Sequence, residues 1–385
     1  MSAKPHIFHL IEDYSPANSG VSQVVRQLAH YLARQGYPTT ILASGKAVTP
    51  VPPGVELQEF PLYLGGLGWR YPRGLGKYLE KISSSPGHIL HLHGVWQAPQ
   101  WLGARAAGRH RAPALLTAHG MLEPWHWHDG RLRRLKKLIY WYGLAYPAFR
   151  RLPLIHAITP LERDHLAAHF PGQRLKVIPN ALDLSEADAF LAGEGGQAEG
   201  AEPPYLLFLG RLHPKKGLEV LIEAFAQAFL RQPYRLVIAG PAATPAYAQR
   251  LEGLVRAWGL ERQVTFLGSV AGAKKWQLYR HAWAFCAPSH SEVVGLVNLE
   301  AAAVETPVIT TPQTGITDWQ EGGGLLVPPR VDELRQALEQ VFSFSEQERR
   351  LRGQKLRQLV ERRYSWEVVG RQWIGLYQEL GERLP

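Results

Sequence analysis

Two carboxylates, Glu292 and Glu300, stand eight positions apart with Gly295 between them. The run LVNLEAAAV is rich in good helix formers, which predicts a helix that begins near Gly295 and carries Glu300 about one turn inside. The first N–H groups of a helix have no intrahelical partner, so the backbone of Gly295, Leu296 and Val297 is a predicted anion site. Flanking carboxylates can accept hydrogen bonds from hydroxyl groups. The pattern therefore suits a nucleotide sugar, with phosphates in the middle and hydroxyls at both ends.

A second group of candidate residues follows the apolar stretch Tyr205–Leu209, which is a predicted strand. Gly210 and Arg211 come directly after it, and Lys216 precedes a helix predicted to open after Gly217. A diphosphate leaving group needs fixed positive charge where negative charge develops, and a guanidinium offers a planar fork of donors for it. Taken alone, the pattern is equally typical of an ordinary strand-to-helix turn with exposed cations.

The first half of the chain holds three further candidates. Ser19 and Gly20 lie between the predicted strand His6–Ile11 and a helix ending near Gly36, and His119 falls at the end of a predicted strand in LLTAHGMLEPW. Each has a structural alternative. Glycine is common in any strand-to-helix turn, and a histidine at a strand end can simply be hydrogen-bonded within the core.

These segments occur in one order along the chain, and together they resemble the family 4 retaining glycosyltransferases (glycosyl transferases group 1) of the GT-B fold. The E-x7-E segment, FLGRLHPKKG and VIPNALDL carry the resemblance. It implies that Arg211 and Lys216 hold the donor diphosphate, that Glu300 accepts hydrogen bonds from the nucleotide ribose, and that Glu292 contacts the transferred sugar. It also implies that His119 lies close to the reacting sugar.

The resemblance extends to the loop at Ser19-Gly20, where the family has a Gly-Gly pair. It implies transfer with retention of configuration, in which the leaving phosphate oxygen deprotonates the acceptor hydroxyl. No cofactor is expected beyond a UDP- or GDP-linked sugar co-substrate. No metal site is expected, because the sequence contains no D-x-D motif. The sequence departs from the family pattern at two places. Val294 stands where an aromatic residue is common, and Glu305-Thr306 replaces the usual glycine. These departures leave the identity of the sugar open.

Three functions remain open from the sequence. The first is a transferase acting on a saccharide or lipid-linked saccharide, and the fragments HLHGVWQ and AHGMLEPW resemble enzymes of exopolysaccharide or lipopolysaccharide assembly. The second is a sugar-nucleotide epimerase, since hydrolysing epimerases share the fold. The third is a non-catalytic, saccharide-binding partner subunit, which the intact set of candidate site residues disfavours.

Composition predicts a two-domain cytoplasmic enzyme. A chain of 385 residues with 45% hydrophobic and 20% charged residues exceeds one comfortable core. A single cysteine, Cys286, excludes an intramolecular disulfide framework and disfavours a metal–thiolate site. The first residues lack a continuous apolar stretch before Glu12 and Asp13, so no signal peptide is expected. No run approaches the ~20 apolar residues of a membrane span.

The net charge of +10 is concentrated in the first half, where residues 1–190 carry +9. The densest patch, Arg131–Arg151, contains seven cations and no acid. Its apolar residues recur at helical spacing: Leu132, Leu135, Ile139, Tyr142 and Tyr146. A basic amphipathic helix of this kind fits an anionic membrane surface, peripheral to its inner face, and equally fits a core-packed helix with a solvated basic face. Nucleic acid is disfavoured, because no reading motif accompanies the charge.

Apolar strands alternate with helical stretches, which predicts parallel sheets covered on both faces. The expected fold is α/β: two Rossmann-like, doubly wound domains that face each other across a cleft. The acceptor domain is placed at residues 1–190, the donor domain at 191–363, and a helix over 364–385 crosses back to the first. Predicted strands are His6–Ile11, Thr39–Ala43, Ile89–His93, Ala114–Ala118, Leu154–Ala157, Lys176–Ile178, Tyr205–Leu209, Arg235–Ala239, Val264–Phe266, Ala284–Ala287, Pro307–Thr310 and Gly324–Val327.

Overall fold

A computed structural model describes residues 4–15, 20–45, 50–63, 71–127, 131–193 and 203–382. The chain divides into two compact units. The first comprises Met1–Ala181 together with Trp366–Pro385, and the second comprises Leu182–Ser365. The chain therefore leaves the first unit once and returns to it at Trp366.

The first unit is built on a seven-stranded parallel sheet in the order β3-β2-β1-β6-β7-β8-β9. The strands of this unit are β1 (His6–Ile11), β2 (Thr39–Ser44), β3 (Val55–Phe60), β4 (Leu62–Tyr63), β5 (Tyr71–Pro72), β6 (His88–His93), β7 (Ala114–Thr117), β8 (Leu154–Ala157) and β9 (Leu175–Val177). Of these, β4 and β5 form a separate antiparallel hairpin. The helices are α1 (Gly20–Arg34), α2 (Leu75–Ser83), α3 (Ala98–His110), α4 (Arg131–Tyr140), α5 (Tyr146–Phe149) and α6 (Pro160–His169). A π-helical turn, Trp141–Ala145, joins α4 to α5.

The second unit repeats the plan with a six-stranded parallel sheet in the order β12-β11-β10-β13-β14-β15. Its strands are β10 (Tyr205–Leu209), β11 (Arg235–Ala239), β12 (Val264–Gly268), β13 (Ala284–Ala287), β14 (Val308–Thr310) and β15 (Leu325–Leu326). Its helices are α7 (Ser185–Gly193), α8 (Leu218–Phe229), α9 (Pro245–Ala257), α10 (Gly272–His281), α11 (Leu296–Ala303), α12 (Val331–Phe342) and α13 (Glu346–Tyr364). Two Rossmann-like units with parallel sheets confirm the predicted fold class.

In each sheet the strand order reverses at one point, between β1 and β6 in the first unit and between β10 and β13 in the second. At such a point the loops that follow the two neighbouring strands run in opposite directions and leave a crevice at the carboxyl ends, where open α/β sheets bind ligands. Among the predicted site residues, Gly20, Gly210 and Glu292 follow β1, β10 and β13, whereas His119 follows β7.

The last helix, α14 (Trp366–Glu382), belongs to the first unit. Its apolar face buries Val369, Trp373, Tyr377 and Leu380 against residues of β1, β6, β7 and β8. The approach to α1 is close, because a Cβ placed on Gly370 would lie 2.1 Å from the Tyr31 ring. Among the described residues, no helix combines the length and apolar character needed to cross a bilayer.

Several details differ from the prediction, among them the unit boundary, which lies after Ala181 and not after residue 190. The edge strand β3 was not predicted, because its sequence VELQEF carries polar side chains and only its end residues Val55 and Phe60 are buried. The closing helix was predicted from Tyr364, but Tyr364 ends α13, Ser365 has an extended backbone, and α14 begins at Trp366.

Candidate functional site

In the second unit, the loops that follow β10 and β13 touch at the point where the strand order reverses. Gly217 caps α8 with a left-handed backbone (φ 69°), and a Cβ on it would lie 2.1 Å from the carbonyl oxygen of Pro288. Only glycine allows this approach. The contact brings the Gly210–Gly217 loop beside the segment that contains Glu292.

Lys216 and Glu292 form an ion pair across these two loops, with side chains only 16% and 18% exposed. The backbone fixes this segment as well, since Glu292 N–H donates to the carbonyl of Gln313 at 3.0 Å. Arg211 is exposed and has no ion-pair partner among the described residues. The pKa of His213 is lowered by partial burial and then by Lys215, Arg211 and Lys216, which reflects the cationic character of this loop.

Glu300 lies one turn inside α11, as predicted, and both of its carboxylate oxygens are occupied. Oε1 accepts from Lys275 Nζ and Oε2 accepts from the Tyr279 hydroxyl, each at 3.0 Å. Tyr279 is fully buried, and burial together with the Glu300 carboxylate raises its pKa well above the ordinary value. Sequence reasoning missed Lys275 and Tyr279, although their spacing of four places them on one face of α10.

The N-terminus of α11 differs from the prediction in one respect. Gly295 is the N-cap and its N–H has no acceptor among the described residues, whereas Leu296 N–H donates to the carbonyl of Val294 at 3.0 Å. The prediction that the Leu296 N–H is free is therefore wrong, because the chain makes a tight turn before the helix. Val297 is the second residue of α11. Beneath the turn, Asn298 is fully buried and its side-chain oxygen has no partner among the described atoms.

His119 belongs to the first unit and directly follows β7. Its backbone is left-handed (φ 52°), which is uncommon for a residue with a side chain, and Gly120 continues with φ 72°. Glu162 holds this turn, because its Oε1 accepts from Gly120 N–H and its Oε2 from Ile158 N–H, both at 2.6 Å. Burial raises the pKa of Glu162 to about 7. Gly20 is the first residue of α1, and Ser19 lies outside the described residues.

A pocket of about 330 Å³ lies at the strand-order reversal of the first unit. The ends of β1 and β6 supply Glu12, Asp13, His93 and Trp96, and α4 supplies Lys137. This mixture of carboxylates, an amine and an aromatic face is suited to a ligand that carries many hydroxyl groups.

The apolar stripe of α4 and the turn after it faces solvent. Leu132, Leu135, Ile139 and Tyr142 are 68%, 53%, 64% and 65% exposed. The interpretation of this helix as core-packed through these residues is therefore wrong. Tyr146, in contrast, packs partly against the core, so it does not continue the exposed stripe.

The chain is similar to known proteins along most of its length. Residues 18–186 match the profile "Glycosyltransferase Family 4", and residues 195–357 match "Glycosyl transferases group 1". It is 31% identical over 339 residues to D-inositol 3-phosphate glycosyltransferase of Actinosynnema mirum, covering 80% of each chain.

Solved structures of the same fold cover nearly the whole chain. Sucrose-phosphate synthase of Thermosynechococcus elongatus superposes with a TM-score of 0.73 at 24% identity, covering 97% of this chain and 99% of that one. HepE of Anabaena, solved with UDP and glucose, gives 0.70 at 18% identity, covering 97% and 100%. WaaG, described as a lipopolysaccharide-biosynthesis glycosyltransferase, gives 0.68 at 16% identity, covering 95% and 98%.

Proposed function

Because the chain belongs to the family 4, group 1 glycosyltransferases, we propose that it moves a sugar, with retention of configuration, from a UDP- or GDP-linked donor to a saccharide or lipid-linked saccharide. The observation that carries the proposal is the half-buried Lys216–Glu292 pair at the strand-order reversal of the second unit. It sets a cation and a hydroxyl acceptor side by side, which matches the junction between a diphosphate and a sugar.

The second unit supplies the donor site. Arg211, exposed and without an ion-pair partner among the described residues, takes the diphosphate together with Lys216, and the N–H of Gly295 adds a backbone donor. Glu300, held by two side-chain donors, presents its carboxylate to the ribose hydroxyls. Glu292 accepts hydrogen bonds from the transferred sugar once a phosphate competes for Lys216. Placing fixed positive charge at the leaving group lowers the barrier, because negative charge develops there.

In the proposed reaction, the bond between the anomeric carbon and the diphosphate oxygen breaks. The acceptor oxygen bonds to the same face of that carbon, and the acceptor proton passes to the leaving phosphate oxygen. His119 contributes a hydrogen bond to the sugar or a backbone carbonyl beside the developing oxocarbenium charge. The described donor groups are ammonium, guanidinium and backbone N–H, which supports a metal-independent transfer in which the chain itself balances the phosphate charge.

The acceptor is assigned to the pocket at the end of β1 and β6. Carboxylates such as Glu12 and Asp13 accept hydrogen bonds from sugar hydroxyls, and Trp96 offers a flat apolar surface for a pyranose ring. This lining supports a saccharide acceptor. The role in cell-surface polysaccharide biosynthesis is proposed from the resemblance of HLHGVWQ and AHGMLEPW to enzymes of that class.

The exposed stripe on α4 supports contact with an anionic membrane surface, which is where a lipid-linked acceptor would be reached. Leu135 and Ile139 face solvent, while Arg133 and Lys136 flank them and form no ion pair within the described chain. An apolar face that enters the headgroup region beside unpaired cations is the pattern of a helix lying on anionic lipid.

The donor assignment is tested by thermal shift with UDP-, GDP- and ADP-sugars, with and without Mg²⁺. A true donor at 100 times its Kd stabilises the protein by about 2.7 kcal/mol. The double variant Arg211→Ala/Lys216→Ala is expected to lose this stabilisation. Arg231→Ala, an exposed cation beyond the other end of α8, is the matched control and is expected to retain it. Absence of any shift with the parent protein contradicts the proposal, and nucleotide release with no acceptor present supports the epimerase instead.

The membrane assignment is tested by co-sedimentation with vesicles of phosphatidylglycerol or phosphatidylcholine. Binding is expected only to the anionic vesicles, and it is expected to fall in Leu135→Asn/Ile139→Asn and in Arg133→Glu/Lys136→Glu. Leu351→Asn removes a leucine of similar exposure (51%) from the second unit and serves as the control. Equal binding by all variants contradicts a role for α4.

A further inference from the structure

Five histidines occupy the carboxyl-terminal half of the first sheet, and two hydrogen-bonded lines connect them. His9, His91, His93 and His156 are at most 2% exposed, on β1, β6 and β8, while His119 after β7 is partly exposed. Burial lowers the pKa of each, so all five are neutral at pH 7. A neutral imidazole has one donor and one acceptor nitrogen, so each line must run in a consistent direction.

The direction of the first line follows from its last acceptor, the carbonyl of Ile178. His156 Nε2 lies 2.9 Å from this oxygen and must donate to it, so His156 Nδ1 accepts from the Thr117 hydroxyl at 2.9 Å. Thr117 Oγ1 then accepts from His91 Nε2 at 2.7 Å. His91 Nδ1 in turn accepts from the Tyr377 hydroxyl at 2.8 Å.

This line argues against a metal in the cluster. Nitrogen atoms of His9, His91 and His93 lie within 4.8 Å of one another, and three neutral imidazoles form a common zinc site. Both nitrogens of His91 already form hydrogen bonds, however. If His91 bound a metal, either the buried Tyr377 hydroxyl would lose its acceptor or the bond to Thr117 would be broken.

The second line joins His9, His93 and His119. His9 Nδ1 lies 3.0 Å from His93 Nε2, and His93 Nδ1 lies 3.0 Å from His119 Nε2. His9 Nε2 is buried and has no partner among the described atoms. A buried N–H without an acceptor is rarer than a buried bare acceptor, so the proton of His9 belongs on Nδ1. His93 then accepts at Nε2 and donates from Nδ1, and His119 accepts at Nε2.

The direction of the second line determines the tautomer of His119, the last ring in it. With Nε2 accepting, His119 carries its proton on Nδ1, which has no hydrogen-bond partner among the described residues. The left-handed backbone of His119 is held separately through Gly120 and Glu162. Ring and backbone are thus fixed by different groups.

We infer that His93, oriented by His9, is a positioning residue that holds His119 as an Nδ1–H donor toward a sugar hydroxyl. The contact with sugar rests on the proposed function, whereas the tautomer does not. His93 itself makes the bond that selects the tautomer, while His9 acts through His93.

The tautomer is read directly by long-range ¹H–¹⁵N NMR on the full chain labelled with ¹⁵N-histidine. Wild-type His119 is expected to show the proton on Nδ1. His93→Phe is expected to shift it toward Nε2, and His9→Phe to give a smaller shift. His88→Phe, at the opposite end of β6, is the matched control and is expected to leave His119 unchanged. Should His93→Phe fail to fold, the wild-type and His9→Phe spectra still decide the question. A wild-type Nε2–H tautomer, or stoichiometric zinc bound to His9 and His93, overturns the inference.

Kinetics with UDP-glucose and GDP-mannose as probe donors then test the sugar contact. His9→Phe is expected to lower kcat on the order of tenfold, with UDP affinity unchanged because the nucleotide site is in the second unit. A matching fall in UDP affinity would indicate general damage and overturn the positioning role. If the wild type shows the Nδ1–H tautomer but transfers no sugar, the proposed function fails and the tautomer assignment stands.

Discussion

The strand-order reversals of the two units have the same topology but differ in the side chains that are buried beside them. In the second unit, lysine–carboxylate pairs converge, Lys216 with Glu292 and Lys275 with Glu300. In the first unit, buried imidazoles take their place and are all neutral. Paired charges can be redistributed when a charged ligand arrives, whereas neutral imidazoles present directional donors and acceptors without net charge. The same topology thus provides two different crevices. The one in the second unit is suited to a phosphate-bearing ligand, and the one in the first unit is suited to a ligand with hydroxyl groups.

The largest expected difference between the units is their response to acid. A histidine whose pKa is lowered on folding stabilises the protein above its unfolded pKa of 6.5, and this stability is lost as pH falls toward the folded value. Burial lowers the pKa of His9 to about 3 and of His156 to about 4, and those of His91 and His93 well below 6.5. These four cost about 5 kcal/mol per pH unit below pH 6.5.

Glu162 acts in the opposite direction, since its raised pKa adds stability as pH falls from about 7 toward 4.5, which leaves a net loss of about 4 kcal/mol per pH unit. All three histidines of the second unit are described, and none is buried. The first unit is therefore expected to open near pH 5 while the second remains folded. Hydrogen exchange between pH 7 and 4.5, corrected for the intrinsic rate, measures this by peptide. Simultaneous loss of protection in both units would contradict the comparison.

The next largest effect concerns the charged crevice. Lys216→Ala leaves Glu292 unpaired and, on the proposed function, removes the cation beside the leaving group, so kcat for sugar transfer is expected to fall by about 10²–10³. Lys216→Arg keeps the charge and is expected to retain most of the activity. Steady-state kinetics of both variants decide the matter. Equal losses would mean that the shape of the lysine, rather than its charge, is what matters.

A smaller effect is expected where α14 meets the histidines. Tyr377→Phe deprives the fully buried His91 of its donor, at a cost of about 1–3 kcal/mol in the free energy of unfolding of the first unit. Urea titration followed by hydrogen exchange measures it. Tyr37→Phe is the control, because the Tyr37 hydroxyl bonds the partly exposed Gln378 and its loss should cost less. A silent Tyr377→Phe would contradict the prediction and indicate that an unpaired Nδ1 of His91 costs little free energy of unfolding.

The smallest predicted effect tests how firmly Glu300 is held. Tyr279→Phe removes one of its two side-chain donors but keeps Lys275, so donor affinity is expected to fall by about 2- to 10-fold. Isothermal titration with UDP measures it. Tyr247→Phe removes a tyrosine hydroxyl from Glu219 on α8 and provides a matched control with unchanged UDP affinity. A larger loss than in Lys275→Ala would indicate that the Tyr279 hydroxyl, and not the lysine, is the main support of Glu300.

Sequence predicted the central elements well, because buried parallel strands are continuous apolar runs. β1, β8, β10, β11 and β13 have the predicted bounds. The edge strand β3 was not predicted, because an edge strand that faces solvent has mixed polarity. Glu300 was placed correctly inside α11, since its neighbours are strong helix formers.

Contacts between distant segments could not be predicted in the same way. Lys275 supports Glu300 across 25 positions, and Tyr377 supports His91 across 286. No local pattern links such pairs. The N–H of Leu296 was expected to be free, but it donates to the carbonyl of Val294, since helical propensity does not specify the turn before a helix. The helical period of the apolar residues on α4 was visible in the sequence, but only the packing of the unit shows that they face solvent.

The return of α14 to the first unit has a consequence for biosynthesis. A ribosome makes β1, β6, β7 and β8 first, yet the apolar surface that these strands present is covered in part by Trp373 and Tyr377, which are made long afterwards. Through translation of the whole second unit, the nascent first unit therefore exposes part of its core and leaves the His91 line without its terminal donor. The nascent first unit is therefore expected to be a substrate for chaperones until Trp366 and the residues after it have been made.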